Sequence, residues 1–323
     1  MIAILSFAFI LLFAIYSETC IPAVSFTVKQ FLFSALPSLL PFYVISNILV
    51  KSGFTDKIGK KFNFIMKPVF GVAGQGAFAV IIGMISGYPA GAKTTADLYE
   101  DKKISLYDAQ VLTSFTNNTG PLFLIGLVGA GMLKNVTYGV YLYLIHIFSS
   151  FIVGIIIGNS RKRKLGYGSK TIEIDKTPRI SRTQTFRLLS ESISNATYTM
   201  LPIAGTIIFF SAIIAVLTST GLFPFLISLG RYISFEEPLK GLLPGFLEIT
   251  TGINAMASTN LPMNIKLPLV SLITGFAGIS VHTQVIGILS KAKISCRLYL
   301  LGKTLQSIIS AILTFVLLQL ISF

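Results

Sequence analysis

The sequence predicts an all-α polytopic membrane protein that crosses the bilayer about seven times. Of its 323 residues, 53% are hydrophobic and 12% are charged, whereas soluble domains carry about a quarter charged residues. Apolar stretches close to the roughly 18 residues needed to span hydrocarbon recur along the whole chain. The predicted crossings are residues 1–17, 31–50, 105–133, 136–158, 188–217, 266–290 and 298–322.

The net charge of +14 is concentrated in two segments that separate apolar stretches. Nine Lys and Arg residues lie in 159–187, opposed only by Glu173 and Asp175. Five more lysines follow the second apolar stretch, at Lys51, Lys57, Lys60, Lys61 and Lys67. Basic loops of this kind are typical of the cytoplasmic side of a membrane. We therefore expect both segments to be cytoplasmic and to contact anionic lipid, and we do not expect a nucleic-acid partner.

The first apolar stretch is predicted to be a retained helix. A secretory signal is the alternative, but the first Lys or Arg is Lys29, and "ETCIPAV" at 18–24 is a poor cleavage site. Residues 1–30 are thus interpreted as an N-terminal transmembrane helix and a linker. The two cysteines, Cys20 and Cys296, lie in different segments, so we expect neither a disulfide framework nor a metal site, and no cofactor.

Residues 70–103 form one apolar limb, a Gly-Tyr-Pro-Ala-Gly break and a polar limb that cannot face lipid. Non-helical backbone at membrane depth survives only where it is buried in protein or lines a cavity. The segment is therefore predicted to be a re-entrant hairpin that enters and leaves on the cytoplasmic side. In an alternative path, 70–87 crosses the membrane and 115–133 is the re-entrant element. A second, weaker hairpin is predicted at 238–260.

Two halves of the chain, 31–158 and 188–323, repeat one order of elements on either side of the basic loop 159–187. Each half has an apolar helix that opens with proline, then a Gly-rich interrupted segment, then a long helix broken by polar residues. The charge pattern directs the two opening helices oppositely, which predicts inverted-topology repeats. Paired interrupted segments in inverted halves indicate a transporter with its site near the midplane. The alternative is that Gly and Pro are simply common in membrane helices.

The breaks carry polar residues that are candidates for substrate binding, because a broken helix leaves N–H and C=O groups unsatisfied. Hydrogen bonding between helices uses the same residue types and is the alternative for each of them. The candidates at the breaks of the two long helices are Asn117, Asn118, Thr119, Ser280, His282 and Gln284.

Three ionisable residues at the breaks indicate function, since charges within membrane segments are costly. Lys93 follows the first hairpin break and suits an anionic substrate, although it could instead reach the cytoplasmic interface. Glu248 precedes the second hairpin break and is a candidate for coupling to H⁺ or Na⁺, or an internal partner of a lysine. His282 lies in the second broken helix and is a candidate either for titration near neutral pH or for donating a hydrogen bond. Lys303 also lies within a predicted crossing, with no role assigned.

Enzyme chemistry has little support in the sequence. It contains no HExxH motif, no Walker-type loop and no paired carboxylates within a membrane segment. We therefore expect neither an enzyme nor a primary pump.

Several motifs resemble the YlbJ family of sporulation integral membrane proteins, within the Gate or nucleoside-recognition group. These motifs are "PSLLPF" (37–42), "GYPAGAK" (87–93), "SFTNNTGPLF" (114–123), "LEITTG" (247–252) and "GFAGISVHTQV" (275–285). The last motif departs from the family's pattern by having Ala277 where glycine is expected.

The resemblance implies a secondary transporter that moves dipicolinic acid into the developing spore across the outer forespore membrane. In that interpretation Lys93 and hairpin N–H groups hold carboxylates, Asn117 and Asn118 orient the substrate, and Tyr88 stacks on it. Expected partners are the anionic substrate, membrane lipid, and a second copy or other sporulation membrane proteins. Two alternatives stay open, which are a nucleoside or other metabolite transporter and a non-transporting protein needed for spore envelope assembly.

Overall fold

The computed structural model describes residues 2–52, 54–165 and 182–320, and most of these residues are helical. No strand occurs in these ranges. The all-α class predicted from the apolar stretches is therefore confirmed. The basic loop predicted at 159–187 falls mostly on residues 166–181, outside the described part.

The N-terminal region consists of two helices, α1 (Ile2–Ile15) and α2 (Ser17–Gln30), whose axes differ by 98°. The sequence predicts a linker up to residue 30, and the structure differs in that this segment is α2. Helix α2 packs along α9 (Arg182–Ser219). Hydroxyl pairs join the two helices, with 2.7 Å between the Oγ atoms of Thr27 and Ser211. This packing gives the polar residues of α2 partners, and that explains why the segment is helical.

The first repeat begins with a π-helical turn at Phe31–Ala35. Its α-helices are α3 (Leu36–Lys51), α4 (Phe54–Ile65), α5 (Gly76–Ser86), α6 (Ala90–Glu100), α7 (Leu106–Thr113) and α8 (Val136–Leu165). Two π-helical segments, Met66–Phe70 and Leu122–Met132, lie between them.

The second repeat begins with α9 and has one 3₁₀ turn, Gly230–Ile233. Its further α-helices are α10 (Leu222–Leu229), α11 (Glu236–Leu247), α12 (Ile249–Ala257), α13 (Met263–Phe276), α14 (Gly278–Lys291) and α15 (Arg297–Leu320).

The two repeats have the same order of elements, and they pack in matching pairs. Each has a first helix, a short helix, a helical hairpin, a broken helix and a long last helix. The first helices α3 and α9 pack together, and so do the last helices α8 and α15. The hairpins also contact the broken helices of the opposite repeat. Helix α6 of the first hairpin packs on α14 of the second repeat, and α12 of the second hairpin packs on Leu122–Met132 of the first repeat. The opposite orientation of the repeats in a membrane remains a prediction from charge.

Both hairpins depend on glycines at which two backbones meet. A Cβ atom on Gly252 of α12 would lie 2.0 Å from the Cα of Gly245 of α11. In the first hairpin, Cβ atoms on Gly83 and Gly91 would lie 1.8 and 1.9 Å from the carbonyl oxygen of Thr116. Only hydrogen fits at such distances, so the glycines allow the second hairpin to close and let the backbone at Thr116 pack against the first hairpin.

Four described helices are long and apolar enough to cross a membrane, and the bent pair α1 and α2 raises this to five. The four are Val136–Ser160, Phe186–Ser219, Met263–Lys291 and Arg297–Leu320. The predicted crossings at 31–50 and 105–133 are not among them. The first contains α3, which has only 16 residues, and the second is interrupted between the end of α7 and Leu122. These two crossings stay predictions.

The break between α13 and α14 lies at Ala277, whose φ of 79° is in the left-handed region. This conformation disfavours residues that carry a Cβ atom. It explains why glycine suits this position. The alanine of this chain adopts the left-handed conformation that glycine would adopt more easily.

Candidate functional site

A central cavity of about 230 Å³ lies where the helix breaks of the two repeats meet. The tip of the first hairpin contributes residues 86–88, and the tip of the second contributes 248–250. Thr119 and Gly120 come from the break before Leu122–Met132, and α14 contributes its first turns. The cavity therefore joins interrupted segments that are far apart in the sequence.

Three buried side-chain groups at this cavity have no hydrogen-bond partner within the described part of the chain. They are the hydroxyls of Ser86 and Ser280 and the amide nitrogen of Gln284. A buried polar group without a partner is costly, and native proteins pair nearly all of them. These three groups are thus available to hydrogen-bond a ligand in the cavity.

Tyr88 forms one wall of the cavity and is fixed by two hydrogen bonds. Its hydroxyl donates to the carbonyl oxygen of Thr274 at 2.7 Å and accepts from the hydroxyl of Thr119. These bonds connect the first hairpin tip to both broken helices. The ring is consequently held in place as a flat aromatic surface.

Lys303 of α15 lies next to this wall, with its Nζ atom 5.2 Å from the centroid of the Tyr88 ring. Its side chain is 1% exposed, and Nζ donates to the carbonyl oxygen of Asn117 at 3.2 Å and to Oε1 of Gln306 at 2.8 Å. No carboxylate forms an ion pair with it among the described residues. An ammonium group over an aromatic face is stabilised by the ring quadrupole. Lys303 therefore places an amine behind the cavity wall, and no carboxylate among the described residues forms an ion pair with it.

Asn118 and His146 complete the network around Lys303. The Nε2 atom of Gln306 donates to Oδ1 of Asn118 at 2.9 Å, and Asn118 Nδ2 donates to the carbonyl oxygen of Phe115 at 2.8 Å. The backbone N–H of Thr119 donates to Nε2 of His146 at 3.0 Å. This network satisfies the broken backbone at 117–119 and fixes the position of the ammonium group.

The predicted site residues divide between the cavity and its surroundings. Those that line it are Tyr88, Thr119, Glu248, Ser280 and Gln284. Asn117 and Asn118 lie behind it in the network around Lys303. His282 pairs with the hydroxyl of Tyr299, with 2.7 Å between its Nδ1 atom and the phenol oxygen.

Lys93 does not line the central cavity, contrary to its predicted position beside the substrate. It lies on α6 and forms an ion pair with Asp97, one turn later on the same helix. Both side chains border a separate pocket with Tyr43 and Ser46 of α3. One reason is that α6 begins at Ala90, so that the first turn of this helix separates Lys93 from the hairpin tip. The other is that the charge of Lys93 already has an anionic partner in Asp97.

Glu248, which is predicted to couple transport to an ion, caps the N-terminus of α12. Its carboxylate accepts hydrogen bonds from the N–H groups of Thr250 and Thr251 at 3.0 and 2.8 Å, and from the hydroxyl of Thr251 at 2.9 Å. A helix N-terminus stabilises a negative charge. The carboxylate is therefore well accommodated at 3% exposure, and its coupling role stays a prediction.

Sequence reasoning placed Lys303 within a crossing but gave it no role, and it missed Ser86, Gln306 and His146. An ionisable residue within an apolar segment was the available signal for Lys303. Nothing in the sequence pairs Lys303 with Tyr88, because these residues come from different repeats.

Comparisons with known proteins agree with this architecture. Residues 32–157 match the model of the Gate family, whose description is nucleoside recognition. The chain is 32% identical over 293 residues to the sporulation integral membrane protein YlbJ of Bacillus subtilis strain 168, covering 85% of this chain and 72% of the relative. No solved structure matches the chain. By this identity and coverage, the chain is an integral membrane protein that belongs to the family of the sporulation protein YlbJ.

Proposed function

We propose that this protein is a secondary transporter of a small organic anion, dipicolinate, and that it moves this anion into the developing spore. The observation that carries the proposal is the central cavity, in which three buried groups without protein partners lie at the meeting point of the helix breaks. Cavities bordered by interrupted helices are where secondary transporters bind their substrates. The sporulation membrane protein that this chain is similar to supports the cellular setting.

The groups around the cavity suit a planar aromatic dianion. Tyr88 offers an aromatic face for stacking. The hydroxyls of Ser86 and Ser280 and the amide of Gln284 can donate to carboxylate oxygens. Lys303 forms no ion pair with a carboxylate in the described ranges, and an anion in the cavity favours its positively charged form. The carboxylate of Glu248 is directed to the N-terminus of α12, so the substrate's own carboxylates are placed toward Ser280 and Gln284.

Uptake of labelled dipicolinate into proteoliposomes that contain the purified protein tests the proposal. We expect uptake that saturates with concentration and exceeds that of protein-free liposomes. A folded, correctly inserted protein that takes up no dipicolinate would contradict the transport function. That result would favour a non-transporting role in spore envelope assembly.

Replacing Ser280 by alanine together with Gln284 by leucine should weaken dipicolinate binding strongly. A hydrogen bond to a charged group contributes about 1.5–3 kcal/mol, so each lost donor should reduce affinity by about tenfold or more. The measurement is the dissociation constant of the purified variant. Thr283→Ala is the matched control, because Thr283 lies between them on α14 but is exposed and bonds to its own helix at Ile279. Equal affinities of the double variant and the control would contradict the assigned roles.

Lys93→Ala should retain dipicolinate uptake close to that of the unaltered protein. Lys93 pairs with Asp97 beside a different pocket, so its removal leaves the groups that line the central cavity in place. The measurement is the initial uptake rate at equal protein content. A loss of affinity in this variant would return Lys93 to the anion site that the sequence predicts.

A nucleoside is the second candidate substrate. The match of residues 32–157 to a family described as nucleoside recognition favours it, and Glu248 offers carboxylate oxygens that could accept from ribose hydroxyls. Competition separates the two substrates. Unlabelled nucleosides that displace dipicolinate, and are themselves taken up faster, would favour the nucleoside.

We also propose that the protein resides in the outer forespore membrane with residues 159–187 in the cytoplasm. The basic composition of that loop supports the orientation. A fluorescent protein inserted in the loop should be inaccessible to an external protease in intact cells, and it should localise around the forespore.

A further inference from the structure

A second cavity of about 310 Å³ lies between α2, α9 and α12. Although most of the seam between α2 and α9 is apolar, this cavity is rich in hydroxyl and amide groups. Its polar lining includes Thr19, Thr27, Ser211, Thr218, Thr251 and Asn254. Most of the cavity wall is apolar, but these hydroxyl and amide groups offer hydrogen bonds to a polar occupant that lipid tails cannot use.

The second cavity adjoins the central one. Thr27 of α2 and Thr250 of α12 line both cavities. Thr250 is also the residue whose N–H is held by Glu248 at the tip of the second hairpin. These two threonines therefore form the boundary between the proposed substrate site and the second cavity.

Helix α2 closes the second cavity on one side through neutral hydroxyl pairs. Thr27 pairs with Ser211 and Thr19 pairs with Ser219, each with 2.7 Å between the oxygens. The α2–α9 seam is otherwise made of small and apolar contacts, among them Cys20 with Ala215 and Val216. No charge pair holds the seam in the described ranges. Neutral pairs of this type break at low cost when the oxygens meet other partners.

We propose that the second cavity is the next binding position on the route of the transported anion, entered past Thr27 and Thr250 when α2 moves away from α9. The hydroxyls of Thr27 and Ser211, released from one another, donate to the carboxylates of the passing anion. This inference rests on the proposed function. It assigns a transport role to α2, which lies outside the part of the chain that matches the Gate family, residues 32–157.

A reversible disulfide across the seam tests this route. In a variant without native cysteines (Cys20→Ala, Cys296→Ser), Thr27→Cys and Ser211→Cys are introduced together, since the two side chains meet at 2.7 Å between their oxygens, and loss of free thiol verifies that the disulfide forms. We expect oxidation to reduce dipicolinate uptake to the level of protein-free liposomes and reduction to restore it. Dipicolinate binding should persist in the oxidised state, because Ser86, Ser280 and Gln284 of the central cavity are unaltered.

The matched control is a disulfide between α13 and α15. Ser271→Cys with Thr314→Cys replaces a hydroxyl pair of similar geometry, with 2.6 Å between the oxygens, away from both cavities. Oxidation of this pair should leave uptake unchanged. As a second variant that needs no oxidation, Asn254→Phe should fill part of the second cavity, so that uptake falls while binding persists, because Asn254 lines the second cavity and not the central one.

The outcomes separate this inference from the proposed function. Undiminished uptake by the oxidised Thr27–Ser211 variant, or by Asn254→Phe, overturns the route and leaves dipicolinate transport standing. Absence of uptake and of binding in the unaltered protein overturns the proposed function, and the route with it.

Discussion

Replacing Lys303 by methionine is expected to abolish dipicolinate uptake and to weaken its binding. Methionine is close to lysine in length and is apolar, so it fills the buried position without a charge. The change removes the ammonium group that lies 5.2 Å from the Tyr88 ring. A pair of charges about 6–8 Å apart at an effective dielectric constant of about 20 interacts by about 2–3 kcal/mol. For each substrate carboxylate in that range, the loss is thus about 30- to 100-fold in affinity.

A second buried lysine provides the matched control for this experiment. Lys266 of α13 is 5% exposed, and it donates to the carbonyl oxygens of Ala257 and Thr259 at 3.0 and 2.8 Å, at the end of α12. Lys266→Met should therefore lower stability but leave the dissociation constant for dipicolinate unchanged. If Lys303→Met binds dipicolinate as tightly as Lys266→Met does, the charge of Lys303 has no part in substrate binding.

Gly252→Val should prevent the second hairpin from closing and so remove most of the folded protein. The added Cβ would lie 2.0 Å from the Cα and 2.4 Å from the nitrogen of Gly245. Both are backbone atoms, so no side-chain rotation relieves the overlap. Losses above about 4 kcal/mol are exceptional and arise from overpacking of this kind. Size-exclusion chromatography in detergent, with the thermal midpoint of any folded fraction, measures the effect.

Glycines in open surroundings serve as controls for this substitution. Gly205 of α9 and Gly287 of α14 have no atoms within 4 Å of an added Cβ. Gly205→Ala and Gly287→Ala should therefore elute and melt like the unaltered protein. A Gly252→Val variant that behaves in the same way would show that α11 and α12 can separate without loss of the fold.

The hairpins and breaks could be recognised from the sequence because their causes are local. Gly-rich and proline-containing segments interrupt apolar runs at 83–93 and 244–256, and those residues disfavour continued helix wherever they occur. The linker predicted after residue 17 is a helix in the structure, and the cause of that helix is not local. The polar residues of α2 are accommodated by α9, which lies about 200 positions away, as the Thr19–Ser219 pair shows.

The choice between lysines shows where sequence reasoning stops. Lys93 stands beside a hairpin break, and its neighbour at i+4, Asp97, is readable from the sequence as a partner. Lys303 stands in an apolar helix with no acidic residue near it in the sequence. Its position behind Tyr88 follows from packing between the first hairpin and the last helix. The tertiary structure is therefore needed to show that Lys93 has an acidic partner and that Lys303 has none among the described residues.

The sequence by itself determined the helical membrane class, the order of the two repeats and the segments at which helices break, because hydropathy and backbone preference act within a few residues. The tertiary structure decided which polar groups meet at the central cavity. It placed the hydroxyls of Ser86 and Ser280 and the amide nitrogen of Gln284 there, without hydrogen-bond partners among the described residues, and it directed Lys93 elsewhere. The physical reason is that close packing between distant segments decides which face of a broken helix meets the other repeat. The contact of Gly83 and Gly91 with Thr116 is an example of such packing.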